Sequence, residues 1–134
     1  CGMENDQFTL EEANALVPWL EETFQRLELG RRKYLTLQQR LDALVKNSGG
    51  YGPPGSGQEL SQIQESVARL ARQIEDGVEE ILDRGIIVRT VDTGLVDFPS
   101  QREGREVYLC WIRGENQIGF WHETDRGFAH RQPL

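Results

Sequence analysis

The chain has 134 residues, of which 37% are hydrophobic and 28% charged, enough for one compact domain with its own core. No apolar run approaches the ~18–20 residues of a membrane-spanning helix, and no basic-then-apolar leader opens the sequence. The 15 Lys+Arg against 22 Asp+Glu leave a net charge of −7, which speaks against a nucleic-acid binder, whose affinity rests on cationic excess. A soluble cytoplasmic domain is expected, with neither nucleic acid nor a membrane among its partners.

The lone methionine, Met3, reads as an initiator, with Cys1-Gly2 as residues added ahead of it and 1–8 as a disordered or added start. Cys110 is then the one native thiol, so no intrachain disulfide forms and a reducing compartment is natural. Sites needing four cysteines or three histidines are excluded, since His122 and His130 are the only histidines.

Thr9-Leu10-Glu11-Glu12 is a capping box, in which two side chains satisfy backbone N–H groups that a helix start leaves bare. Pro18 would remove a helical hydrogen bond and crowd the preceding turn. The spacing therefore predicts a short helix over 10–16 and a long one starting at Pro18, with a single kinked helix as the alternative. From there to Lys46, Leu20, Phe24, Leu27, Tyr34, Leu37, Leu41, Leu44 and Val45 trace one stripe, with Leu29 opposite. Residues 47–58 contain five glycines and two prolines and read as a flexible loop without the lysine of a phosphate-binding loop. A second long helix is predicted over 59–85, with Leu60, Ile63, Val67, Leu70, Ile74, Val78 and Ile81 as its stripe and Gly85 as its left-handed stop.

Beyond Gly85 the period changes to that of strands. Segments 86–91, 95–98, 105–113 and 118–123 read as extended, with Pro99 closing the second, 100–104 as a polar loop and 124–134 as a tail. The fold class expected is α+β: a long antiparallel helical hairpin with a short N-terminal helix, packed on a small antiparallel meander of three to four strands, in one domain over 1–134. In the third strand Val107, Leu109 and Trp111 point one way while Tyr108, Cys110 and Ile112 point the other. Both faces are apolar at the centre, so the second needs cover from the tail or from another subunit.

Several segments together resemble a known family: Phe8-Thr9-Leu10-Glu11-Glu12-Ala13-Asn14-Ala15-Leu16-Val17-Pro18, Gly94-Leu95-Val96-Asp97-Phe98-Pro99, Arg105-Glu106-Val107-Tyr108-Leu109-Cys110-Trp111, Trp121-His122 and Gly127-Phe128-Ala129-His130-Arg131-Gln132-Pro133-Leu134. They resemble the short bacterial proteins grouped as DUF2203. The resemblance covers the chain from Phe8 onward and implies that the chain is complete and that the β half carries the signature. It brings no activity with it, and His130 stands where the family has a small residue, usually Gly.

The chemistry-bearing residues gather in the β half. Asp97, Cys110, His122, Glu123 and Arg131 form a candidate site, and Asp97, His122 and His130 offer ligands to a divalent metal such as zinc, iron or manganese. His122 and Glu123, as strand neighbours, face opposite ways and do not share an ion. Equally, His122 reads as a strand-end imidazole bonded to Asp97 or to a carbonyl. Cys110 activated by His122 is a third arrangement, opposed by the apolar run around the thiol. Tyr108, Trp111, Phe120 and Trp121 read either as an interaction surface or as the core of a small sheet. Residues before Gly85 sum to −6 and those after it to −1, so the nearly neutral sheet suits docking. Two functions follow as expectations. One is a homo-oligomeric interaction module, a homodimer that completes the bundle or covers the sheet; the other is a metal-binding protein or metal-dependent enzyme.

Overall fold

A computed structural model describes residues 7–48 and 56–134. The element order is α1 (Leu10–Ser48), α2 (Ser56–Asp83), β1 (Ile87–Thr90), β2 (Leu95–Arg102), β3 (Arg105–Ile112), β4 (Phe120–Glu123), a 3-10 turn (Phe128–His130) and β5 (Gln132–Pro133). The class is α+β, as expected. Of the expected start over 1–8, residues 1–6 lie outside the described residues, while Phe8 is fixed by its N–H bond to the Pro99 carbonyl; of the expected loop over 47–58, residues 49–55 lie outside them, while 47–48 and 56–58 belong to the two helices. No helix among them is long and apolar enough to cross a membrane. The chain divides into two compact units, one of residues 1–25 with 78–134 and one of residues 26–77.

The first unit is built on the sheet. Its strands lie in the order β1-β2-β3-β4-β5, all neighbours antiparallel. This corrects the expected three to four strands to five: the segment read as a tail pairs as β5, Phe120 opposite Pro133. The polar loop expected over 100–104 is instead mostly strand. β2 and β3 pair from Leu95–Ile112 to Arg102–Arg105 and join through Glu103-Gly104, both at positive φ (53° and 78°), the conformation of a tight hairpin turn. Pro99 does not end β2, because the Pro99 carbonyl accepts from Phe8 N–H (2.7 Å), on the side where β1 has already stopped. The N–H that proline lacks belongs to that same side, so no ladder bond to β3 is lost.

One face of the sheet is dry. Val96, Phe98, Val107, Leu109, Trp111 and Trp121 are buried, together with Ala13, Val17, Leu20 and Phe24 of α1. Those helix residues recur at the spacing of one helical face. Phe24 stacks on Trp111 (6.2 Å between centroids), and Asn14 and Glu21 accept from the backbone of Ile118 and Gly114. This stripe explains why the separate short N-terminal helix does not occur and α1 runs unbroken through Pro18. Interrupting a helix with proline costs about 3 kcal/mol. Four buried apolar side chains on both sides of Pro18 contribute more, at about 1.5–3 kcal/mol for each large one. The capping box forms as read: Glu12 N–H donates to Thr9 Oγ1 (3.0 Å) and Thr9 N–H to Glu12 Oε1 (2.9 Å). α2 stops at Asp83 and Gly85 follows at φ 88°.

The second unit is an antiparallel pair made from the later part of α1 and the earlier part of α2. Leu27 packs against Gly77, where a Cβ would lie 2.6 Å from Leu27 Cδ2, and Arg40 pairs with Glu59 at 2.6 Å. Leu27 and Ile63 are its buried apolar side chains among the described residues, and Leu29, Leu35 and Val45 are exposed. Val45 therefore lies off the stripe to which its spacing assigned it.

Candidate metal centre

The other face of the sheet carries the polar residues. Strand pairing sets Asp97 opposite Cys110, and Tyr108 opposite both Pro99 and His122, so alternate side chains of β2, β3 and β4 converge there. Asp97, Cys110 and His122 are all buried, and one ligating atom from each lies within 4.8 Å of the other two.

Each of these groups is held from behind. His122 Nδ1 lies 2.8 Å from the Glu123 carbonyl oxygen and Nε2 lies 2.9 Å from Asp97 Oδ1. A carbonyl only accepts, so Nδ1 donates to it. Nε2 and a carboxylate oxygen at hydrogen-bond distance then need a proton between them, so the His122–Asp97 pair holds one. The second carboxylate oxygen, Oδ2, accepts from Arg89 Nε at 2.8 Å. Beside Asp97 the Arg89 guanidinium is held above its ordinary range, with the hydrogen bond as the largest cause. Arg89 sits at the irregularity where β1 shifts register between Val88 and Thr90, and its guanidinium lies 5.2 Å from the Tyr108 ring centroid.

Cys110 is fully buried, and burial followed by the nearby Asp97 charge pushes its thiol up to about 11. Arg131 Nη1 lies 4.0 Å from the sulfur. Arg131 lies between the Phe120 and Phe128 rings (4.0 and 4.3 Å) and pairs with Glu115 at 3.0 Å. The second sheet face is thus covered by the C-terminal segment of the same chain, one of the two covers the sequence required. Between that segment and the strands lies a cavity of about 390 Å³, lined by Arg89, Leu95, Asp97, Cys110, Thr124, Asp125, Arg126, Gly127 and Phe128.

The sequence-derived site is therefore brought together in part. Asp97, Cys110 and His122 meet, and Arg131 lies over Cys110. Glu123 contributes its backbone carbonyl, while its carboxylate faces away toward Arg105 at 3.9 Å. His130 does not join the ligand set: it is exposed on the 3-10 turn, with Nδ1 3.4 Å from Arg126. Cys110 takes its place. Activation of Cys110 by His122 also fails, because both ring nitrogens are engaged elsewhere and the thiol is held protonated. Of the aromatic set, Trp111 and Trp121 are buried in the dry face, while Tyr108 and Phe120 are half-buried beneath Arg89 and Arg131. Sequence reasoning missed Arg89 and Glu115. Alternation along Ile87-Val88-Arg89 puts Arg89 on the face of Ile87, and the register that sets Ile87 opposite Asp97 makes it the face of the cluster.

A family model described as an uncharacterized conserved protein, DUF2203, matches residues 7–134. The chain belongs to the DUF2203 family. No curated protein and no solved structure matches it. In this DUF2203 chain, three of the five segments that carried the resemblance, 94–99, 105–111 and 121–122, belong to the strands that deliver Asp97, Cys110 and His122 to one point.

Proposed function

We propose that the protein binds one divalent transition-metal ion of the zinc class through Asp97 Oδ1, His122 Nε2 and Cys110 Sγ. The observation that carries this reading is the support behind the ligands. Nδ1–H donates to a backbone carbonyl and Oδ2 accepts from Arg89 Nε–H, which is how metal-binding histidines and carboxylates are oriented by their outer partners. A tetrahedral ion with bonds of about 2.0–2.3 Å holds its ligand atoms about 3.3–3.7 Å apart. Side-chain shifts of a few tenths of an ångström from the 2.9 Å His122–Asp97 contact, and closer approach from within the 4.8 Å cluster, meet that requirement. Charge balances as well: the ion displaces the thiol proton and the proton of the His122–Asp97 pair, so the net charge beside Arg89 is unchanged. Three protein ligands beside a cavity leave a fourth position for water or substrate, the pattern of reactive rather than closed structural sites.

The test is titration of chelator-treated protein with zinc and cobalt(II). One equivalent is expected to bind, with a thiolate-to-cobalt charge-transfer band that Cys110→Ser removes. Protein that folds normally yet binds no stoichiometric metal overturns the reading.

A second reading, homodimerisation through the 26–77 hairpin, is supported by the hairpin's own packing. Two helices hide little of their stripe. Leu37 and Leu70 line an open groove of about 550 Å³ rimmed by Arg32, Lys33 and Arg69, and a second hairpin would complete a four-helix bundle. Light scattering tests it, and a monomer at tens of micromolar (roughly where weak dimers dissociate) rules it out.

A further inference from the structure

The cavity beside the metal site has a definite chemical character. Its lining residues include two arginines, Arg89 and Arg126, and one acidic residue beyond the ligand set, Asp125. With a dication balanced by the Asp97 carboxylate and the Cys110 thiolate, and with Arg131 balanced by Glu115, one positive charge remains facing the cavity. Leu95 and Phe128 supply apolar walls, and Thr124 a hydroxyl. A volume of about 390 Å³ lies at the small end of ligand sites, which suits a molecule of about ten non-hydrogen atoms.

We infer that this cavity binds a small organic carboxylate, a monoanion with a compact apolar body, and that its carboxylate takes the fourth metal position within reach of Arg126. The inference rests on the metal reading above and adds the ligand class to it. Arg126 is the group that separates the two. It is exposed, and its Nη1 lies 3.4 Å from His130 Nδ1, outside the Asp97–Cys110–His122 cluster. Arg89 already gives its Nε to Asp97, so replacing it would disturb the metal site as well. Inorganic phosphate shares the oxyanion chemistry but lacks the body that Leu95 and Phe128 would cover.

The experiment uses the full chain loaded with cobalt(II), whose ligand-field bands report the fourth position. Sodium benzoate is the probe carboxylate and inorganic phosphate the comparison. Benzoate is expected to shift the bands saturably and more tightly than phosphate. Arg126→Gln is expected to keep cobalt affinity and lose about tenfold in benzoate affinity, the loss of one hydrogen bond to a charged group. Three results overturn the inference while leaving the metal reading intact: bands indifferent to both anions, tighter binding of phosphate, or an Arg126→Gln protein that binds benzoate as well as the parent. Failure of cobalt itself to bind overturns both readings and is seen before any anion is added.

Discussion

Asp97 is the residue whose replacement distinguishes a working network from incidental neighbours. Its side chain is 2% exposed, and its two oxygens take different partners, His122 Nε2 at 2.9 Å and Arg89 Nε at 2.8 Å. In Asp97→Asn the amide oxygen can still accept from Arg89, and the amide NH2 can donate to Nε2 of a neutral His122 that keeps its Nδ1–H on the Glu123 carbonyl. No buried group is then left bare, and what is lost is the charge in the two bonds, about 1–2 kcal/mol. In Asp97→Ala both partners lose their acceptor, at a position where the His122 side chain is 1% exposed. Breaking a buried charged pair costs about 3–5 kcal/mol, and Arg89, with 43% of its side chain exposed, recovers part of its share from solvent. The expected ordering is parent, then Asn, then Ala, with the two variants about 2 kcal/mol apart. Urea unfolding followed by the fluorescence of buried Trp111 and Trp121 measures both differences in metal-free protein. Equal stabilities for Asn and Ala would refute the reasoning, since the network would then hold nothing that the amide restores.

Four further outcomes follow from the same geometry. In a Cys1→Ser background, Cys110 is the remaining thiol; raising it from 9.0 to about 11 lowers its thiolate fraction at pH 8 by roughly a hundredfold. Maleimide or disulfide labelling of the metal-free native protein is therefore expected to be at least that much slower than in denaturant, and equal rates would show the site to be open. Because the folded thiol holds its proton to higher pH than the unfolded one, stability is full below about 9 and falls as pH rises toward about 11. Zinc loading near neutral pH should release one proton from Cys110 and one from the His122–Asp97 pair, read as the buffer dependence of the calorimetric heat; no proton release would show that the ion sits elsewhere. Gly94→Ala is expected to cost about 2–4 kcal/mol, from a left-handed backbone (φ 70°) combined with a Cβ built 2.7 Å from Arg113 Cβ, an atom fixed to its own backbone. A cost below about 1 kcal/mol in thermal or urea unfolding would contradict this account.

How much of this could be read beforehand depended on the range of the forces involved. The capping box at Thr9–Glu12, the stop at Gly85 and the alternation along Val107–Ile112 are local, and each appears in the structure as read. Pro18 misled because its local penalty is outweighed by burial of Ala13, Val17, Leu20 and Phe24 against strands ninety residues further on, a term with no local signature. β5 was hidden for a related reason: Gln132-Pro133 has no strand propensity and is extended because Phe120 and Trp121 offer it an edge. Asp97 and His122 could be proposed as partners from residue type alone. That Cys110, not His130, completes the cluster follows from register, and register is fixed by the two-residue turn at Glu103-Gly104, which the composition of 100–104 disguised as a loop.

Register also explains why the polar cluster lies on this face of the sheet. The opposite face meets the first turns of α1, whose side chains at Ala13, Val17, Leu20 and Phe24 offer no hydrogen-bonding groups, so a carboxylate or imidazole there would be buried unpaired. Among the described residues the outer face is covered by a short C-terminal segment, and Arg89 and Arg131 reach in from its margins with their long side chains. Polar groups can be desolvated there and still be satisfied. The roof over Cys110 includes Arg131, stacked between Phe120 and Phe128 and paired with Glu115, and the two-residue β5. A roof made of one short segment opens at lower free energy than the helix-covered face does. Access of an ion or a carboxylate to Asp97, Cys110 and His122 is therefore set by residues 124–134, and Glu115→Gln, which weakens that roof without touching a ligand, should speed metal uptake in stopped-flow mixing while leaving the equilibrium affinity nearly unchanged.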